Sequence, residues 1–413
     1  MIDGKAARND PKTWRAALAR KGAAEAFDAF LAADSEWLEL VPQVDELRSA
    51  TKIKDKPKPE QLSELKVLKA RLQRLEAELA AAEERRRASL DLIPNPPDAD
   101  APEGDAEEHA VEVRRIGEPP TFDFQIKDHV DLGVAAGWLD LERASRVSGT
   151  RFAYRMGDLA LCELALYRFA LTTLEAKEFV PMLTPVLVRE EAMYGSGFFP
   201  TDEVNIYGVE RDGLYLVGTS EVSLAALHMG EILNDERLPL RYAGFSTCFR
   251  REAGAAGKDT RGIFRVHQFD KVEMFVFCRP EESNSEHERL LAYEEEITQA
   301  LGVPYRVVNV AAGDLGASAS KKYDIEAWFP GQDRYREITS TSNTTDFQAR
   351  RLEARFRRDG KVAPMHTLNG TAATARVLIA IVENFQEEDG SVTVPAVLVE
   401  YGSPARLRAA SGS

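Results

Sequence analysis

The sequence predicts an α+β protein in which a mainly antiparallel sheet with its helices follows an N-terminal antiparallel helical hairpin. Three observations predict it. Leu65, Leu68, Leu72, Leu75 and Leu79 alternate in steps of three and four, the seam of a coiled coil, and Trp37, Val41, Val44 and Leu47 keep a similar spacing upstream. Over residues 266–278, Val272, Met274, Val276 and Cys278 alternate with Lys271, Glu273, Phe275 and Phe277, which predicts one long antiparallel strand. Beyond Thr121 strand and helix signals mix without a repeating βαβ rhythm, and no GxGxxG follows a strand. The 413 residues, 44% hydrophobic, suffice for two or three domains.

In chain order, the two helical seams flank TKIKDKPKPE, where Pro57 and Pro59 forbid continuous helix, so the basic turn lies at the tip of the hairpin. Two helices alone make only a two-helix core, which implies an arm projecting from a body. Pro42 should kink the first helix or mark its true start. Pro94 to about Glu118 has linker composition: seven acids and no Lys or Arg lie between Asp98 and Glu112. The boundaries are therefore an arm over 1–105, a linker over 106–120, a body over 121–403 and a disordered tail over 404–413. Within the body, residues 159–171 are apolar nearly all round, as in a helix buried in a core or a subunit interface.

Several classes are excluded. No apolar run is long enough to span a membrane, and the N-terminus has no apolar core of a secretory signal. Three cysteines, Cys162, Cys248 and Cys278, make no disulfide framework and suit buried thiols in a reduced, cytoplasmic compartment. Without CxxC or HxxH pairs no zinc site is expected. AGAAGKDT resembles a phosphate loop only superficially: it is too short, and Asp259 replaces the magnesium-binding hydroxyl. The net charge of −15 argues against nucleic acid, yet residues 1–90 hold 18 Lys and Arg against 16 acids. Arg48, Lys52, Lys54, Lys56 and Lys58 face only Asp55 at the tip. On charge alone a solvated loop is the favoured reading over a polyanionic partner.

The chemistry concentrates between Ala243 and Cys278. AGFSTCFRRE leads into the polar run AGAAGKDTRG and returns as IFRVHQFDKVEMFVFC, a hairpin with an unusually long loop. Arg250, Arg251, Lys258, Arg261 and Arg265 gather there beside Glu252, Asp259 and Glu273. Guanidinium forks grip phosphate oxygens bidentately, so the cluster suits a polyphosphate, and a structural ion-pair network is the competing reading. YREITSTSN sets Glu337 near Ser340, a carboxylate and a hydroxyl fit to hold Mg²⁺ on phosphates. TLNGTAATARVLIAIVEN runs from a glycine turn into an apolar helix. Its Arg376 opposes the helix dipole, so an anionic or aromatic group should compensate it.

Together, GTSE at 218–221, FRREAGAAGKDTRGIFRVHQFDKVE, YREITSTSN and TLNGT with Arg376 resemble, in order, the motifs of class II aminoacyl-tRNA synthetases. In detail they resemble the bacterial type of the seryl-tRNA synthetase family, and the arm is similar to that family's tRNA-binding coiled coil. The resemblance runs from the N-terminus to about Gly402. Three departures accompany it: Ser223 where relatives usually have proline, Pro42 within the arm, and five steps from Thr371 to Arg376 where many bacterial members have six.

The resemblance implies a class II catalytic domain that attaches L-serine to tRNA(Ser) through a seryl-adenylate, with tRNA(Sec) open as a second acceptor. It implies ATP as substrate, Mg²⁺, no zinc, no membrane, and a homodimer with Pro185 near its interface. Arg250, Glu252 and Arg376 would be catalytic. Arg250, Arg251, Glu252, Phe269, Glu337, Ile338, Thr339, Ser340 and Arg376 would bind ATP, Phe269 and Arg376 sandwiching the adenine. Glu337 and Ser340 would hold the metal. Thr219, Ser220, Glu221, Glu273 and Thr371 would form the serine pocket, and Lys52, Lys54, Lys56, Lys58, Lys258 and Arg261 would contact tRNA. The rival reading is a paralogue that is non-catalytic or not directed at tRNA.

Overall fold

The computed structural model describes residues 1–52, 59–254, 257, 259 and 261–408, and the chain divides into two compact units, Met1–Pro96 and Pro97–Ser413. In the first unit Asp3 caps helix α1 (Gly4–Asn9) by accepting from the N–H groups of Lys5 and Ala6. Asp10 followed by Pro11 opens α2 (Pro11–Ala19), since an Asp cap satisfies orphan donors and proline suits the first helical position. The long helices α3 (Ala24–Thr51) and α4 (Pro59–Asp91) run antiparallel, with Glu36 paired to Arg85 at 2.5 Å and Arg48 to Glu76 at 2.9 Å. The five seam leucines of α4 are half-buried, as much as a two-helix seam allows, and Val44 and Leu47 opposite them are buried.

Nearer the termini of this unit, Ile2, Leu18, Phe27, Phe30, Leu90 and Ile93 close a proper core. Beside it Asp34, 1% exposed, lies between Arg8 at 2.5 Å and Arg86 at 2.6 Å. Pro42 does not mark the helix start: α3 begins at Ala24 and continues through it. Pro42 is exposed, so water can take the carbonyl that its missing N–H leaves without a donor. Lys52 follows the last turn of α3, whereas Lys54, Lys56 and Lys58 lie outside the described residues.

In the second unit, eight strands form one sheet: β1 (Val111–Ile116), β2 (Val180–Leu183), β3 (Leu240–Phe249), β4 (Gln268–Cys278), β5 (Tyr305–Asn309), β6 (Lys321–Phe329), β7 (Arg334–Thr345) and β8 (His366–Thr374). The order is β1-β5-β6-β7-β8-β4-β3-β2, antiparallel throughout except between β2 and β3. Helices α5 (Asp158–Glu175), α6 (Ser283–Ala300) and α7 (Ala375–Asn384) contribute Leu166, Leu174, Ile297 and Leu378 to the main core. The alternation of β4 sorts its side chains between two apolar layers: Met274 and Val276 join the main core, and Phe275 and Phe277 pack with Leu352 and Phe356. Among the described residues no helix is long and apolar enough to cross a membrane.

Three expectations change here. The proposed linker contains β1, which pairs with β5, and the preceding acidic stretch is laid down by Asp98 N–H on Ser320 O and Ala312 N–H on Pro102 O, both 2.8 Å. The unit boundary therefore falls at Pro96, not at 105. An edge strand leaves its side chains in water and so carries polar residues that imitate a linker. In the tail, Arg406–Leu407 pairs with Val392–Thr393 and Leu407 is fully buried; residues 409–413 lie outside the described residues. Helix α5 buries Cys162, Leu166 and Phe169 but leaves Leu161 50% and Leu164 61% exposed. Lastly, Gly370 is not in a turn but in the middle of β8.

Candidate active site

Two irregularities in the sheet place the acidic side chains. The register of β4 against β8 slips between Val272 and Glu273, which sets Glu273 directly opposite Thr371. The register of β6 against β7 slips between Ile325 and Glu326, next to Glu337. Bulges of this kind re-aim side chains beside functional sites. Between them opens a cavity of about 120 Å³, lined by Arg250, Glu252, Phe264, Arg265, Phe269, Lys271, Glu337, Ile338, Thr339, Ser340, Thr371 and Arg376 among others.

The cations in and around this cavity divide into two kinds. Arg265 pairs with Glu252 at 2.8 Å, and Arg336 pairs with Asp259 at 2.7 Å. Arg261 is held by Asp128 and Asp131, and Arg251 lies 5.7 Å from the Tyr207 ring. Lys258 lies outside the described residues. The pairs of Arg261, Arg265 and Arg336 are the structural network that competed with the polyphosphate reading, and Arg251 is exposed beside the Tyr207 ring. Arg250 differs. Its Nε donates to Gly218 O at 3.1 Å, its guanidinium sits 5.4 Å from the Phe269 ring, and among the described residues no carboxylate pairs with it. A half-buried guanidinium without an ion-pair partner inside a polar cavity can take an anionic ligand.

Arg376 begins α7 behind the cap Thr374, whose hydroxyl accepts the Arg376 N–H at 3.2 Å. Its charge is compensated by Glu337 Oε2 at 2.8 Å and by the ring of Phe264 at 4.7 Å. Burial would raise the Glu337 carboxyl, but Lys322 and Arg376 outweigh it and hold it at about 2, so Glu337 is ionised at neutral pH. One ionised carboxylate and the Ser340 hydroxyl on the same cavity wall fit Mg²⁺ that brings phosphate oxygens with it. Among the described residues no group of three or more His, Cys, Asp or Glu is placed to hold a metal unaided.

Adjoining the cavity is a cluster of buried polar groups. Glu273, 2% exposed, forms an ion pair with Lys271, and Thr219 is buried. Burial raises the Glu273 carboxyl, opposed by Lys271 and by a hydrogen bond to Thr219. Glu221 accepts from Gln348 Nε2 at 2.8 Å, and burial, reinforced by Glu273, pushes it up to about 7. Ser220 is different: its hydroxyl donates to Gly244 O at 3.3 Å, which engages it with the backbone of β3. The Ser223 hydroxyl donates to Pro185 O at 2.6 Å, a bond that proline there could not make.

Sequence reasoning missed Phe264, Lys271, Lys322 and Gln348. The same-face pair Lys271 and Glu273 was legible two residues apart on a strand. The others arrive from separate elements and left no local signal.

The family model for the seryl-tRNA synthetase N-terminal domain matches residues 1–97, and that for the class II tRNA synthetase core domain (G, H, P, S and T) matches residues 207–385. The serine–tRNA ligase of Acidothermus cellulolyticus is 50% identical over 411 residues, covering 97% of this chain and 98% of the relative. Among solved structures, the seryl-tRNA synthetase of Pyrococcus horikoshii complexed with ATP matches with a TM-score of 0.94 and 40% identity over 100% of both chains. The cytoplasmic serine–tRNA ligase of Naegleria fowleri in complex with AMP matches with a TM-score of 0.89 and 35% identity, covering 97% of this chain and 96% of that one. With both units matched at these identities, the chain belongs to the seryl-tRNA synthetase family of class II aminoacyl-tRNA synthetases.

Proposed function

We propose a division of labour for the reaction of this serine–tRNA ligase, the ATP-dependent attachment of serine to tRNA through a seryl-adenylate. The serine carboxylate, ionised at pH 7, attacks the α-phosphorus of ATP in line; the bond to pyrophosphate breaks and seryl-adenylate remains. A ribose hydroxyl of the terminal adenosine of tRNA(Ser) then attacks the seryl carbonyl and releases AMP. No protein nucleophile is needed, so the rate rests on positioning and charge stabilisation. Arg250 takes the α-phosphate, Glu252 and Arg251 border it, and Phe269 and Arg376 flank the adenine. Glu337 and Ser340 would hold Mg²⁺, which when bound neutralises phosphate charge, while Ile338 and Thr339 continue that wall. Thr219, Glu221, Glu273 and Thr371 take serine; Ser220 supports this pocket from behind.

The observation that carries this reading is Arg250, an unpaired guanidinium over Phe269 beside the Lys271–Glu273 cluster. Serine-dependent ATP–pyrophosphate exchange, with and without tRNA, tests it. Exchange without charging would favour a paralogue not directed at tRNA, and no exchange would favour a non-catalytic one. Replacing Glu337 by Gln should leave serine affinity intact while moving the Mg²⁺ midpoint of exchange upward by about 10-fold or more. An unchanged midpoint would take Glu337 off the metal.

For the acceptor, Lys52, Lys54, Lys56, Lys58, Lys258 and Arg261 are the proposed tRNA contacts, with tRNA(Sec) a second candidate acceptor. Arg261 would exchange Asp128 and Asp131 for phosphate. Replacing residues 39–83 by a short Gly/Ser loop keeps the Arg8–Asp34–Arg86 pairs and should leave adenylation nearly intact while aminoacylation collapses. Changing the four tip lysines to Ala should weaken tRNA binding and flatten its salt dependence, because each phosphate contact releases counterions. Normal charging by the loop variant would sink the arm assignment. A homodimer completes the proposal: the edge strand β2 exposes Val180 and Leu183 (83%), two residues before Pro185, and α5 exposes Leu161 and Leu164, an apolar surface that a second copy would cover.

A further inference from the structure

Glu294 on α6 is fully buried, and nothing in the reaction above uses it. Its Oε2 accepts from the Thr339 hydroxyl at 3.2 Å. Thr339 and Thr371 both line the cavity, on the adjacent strands β7 and β8. Oε1 has no hydrogen-bond partner. It lies so close to β8 that a Cβ at Gly370 would stand 2.8 Å from it. A glycine within a strand marks such a close approach, which explains the mid-strand glycine of the NGT motif. Burial pushes this carboxyl well above the usual range, with Glu273 and Asp324 adding to the rise. A buried carboxyl with an unpaired oxygen is costly, and an apolar side chain of the same size would be cheaper.

We propose that Glu294 is a positioning residue of the serine pocket: bonded to Thr339 of β7 and packed against Gly370 of β8, it fixes the wall that carries Thr371 opposite Glu273. It acts through Thr371 rather than on serine itself, so its effect falls on the amino acid and not on the nucleotide. This rests on the assignment of Thr371 to the serine pocket made above.

The test compares Glu294→Met, which keeps volume and loses the hydrogen bond to Thr339, with Glu294→Gln, which retains an acceptor. Pyrophosphate exchange gives KM for serine and ATP separately, and thermal melting checks the fold. Glu294→Met should raise the serine KM by about 10-fold, the worth of one buried hydrogen bond, with the ATP KM within about twofold. Glu294→Gln should restore most of the loss. An unchanged serine KM in the Met variant overturns the proposal, as do equal rises in both KM values or a Gln variant as impaired as Met. A wild-type chain without serine-dependent exchange is a separate result, which would overturn the site assignment itself.

Discussion

Arg250→Ala should lower serine-dependent pyrophosphate exchange by about 10²–10³ or more, the cost of removing one preorganised contact to transition-state charge. The size of the effect follows from the environment of Arg250. Arg265, Arg336 and Arg376 each have a carboxylate partner, so their charge is already compensated without ligand. Arg250 is held by a carbonyl and an aromatic face, which orient its guanidinium without neutralising it. Charge that builds on the α-phosphate then meets a cation that has no ion-pair partner among the described residues to give up, and little reorganisation is required. Arg265→Ala makes the comparison: it should cost less in exchange, because it mainly frees Glu252. Wild-type exchange in Arg250→Ala would return the hairpin to the structural ion-pair reading.

How much of this was legible in the sequence depends on whether the signal was local. The arm's 3-4 leucine spacing is a property of one helix, and α3 and α4 form where it placed them. The β3–β4 hairpin was legible because strand alternation and a long polar loop sit next to each other in the chain. β1 was not: its polar residues suit an edge strand and a linker equally, and only the apolar alternation of its distant partner β5 could have distinguished them. In the site, a sequence can show that Arg376 needs compensation but not that Phe264, more than a hundred residues away, supplies part of it. Gln348 is similarly remote from Glu221. Sequence reading also gave Arg261 a tRNA role without its partners Asp128 and Asp131, since ion pairing across elements leaves no mark on local composition.

The second large effect concerns how serine is told from its neighbours. On the proposed assignment, discrimination arises in one pocket whose walls include Glu273 and Thr371, set opposite each other by the bulge at Ala372 of β8. The polar groups there are buried: Glu273 is 2% exposed and Thr371 7%. Alanine would occupy that space without its hydroxyl and leave them unpaired, and sites built this way discriminate by about 10⁴–10⁵. Threonine keeps the hydroxyl and adds only a methyl, so its exclusion is steric, worth about 1–3 kcal/mol by analogy with overpacked cores. Threonine should therefore be the leading misactivated competitor and alanine a poor one. Glu273→Ala should depress serine activation far more than ATP binding, and it leaves Lys271 buried without its partner, which adds to the loss. Exchange rates for serine, threonine and alanine at matched concentrations decide the matter. Alanine activated as readily as threonine would mean that the hydroxyl is not read by these groups, and the pocket would have to select by size alone.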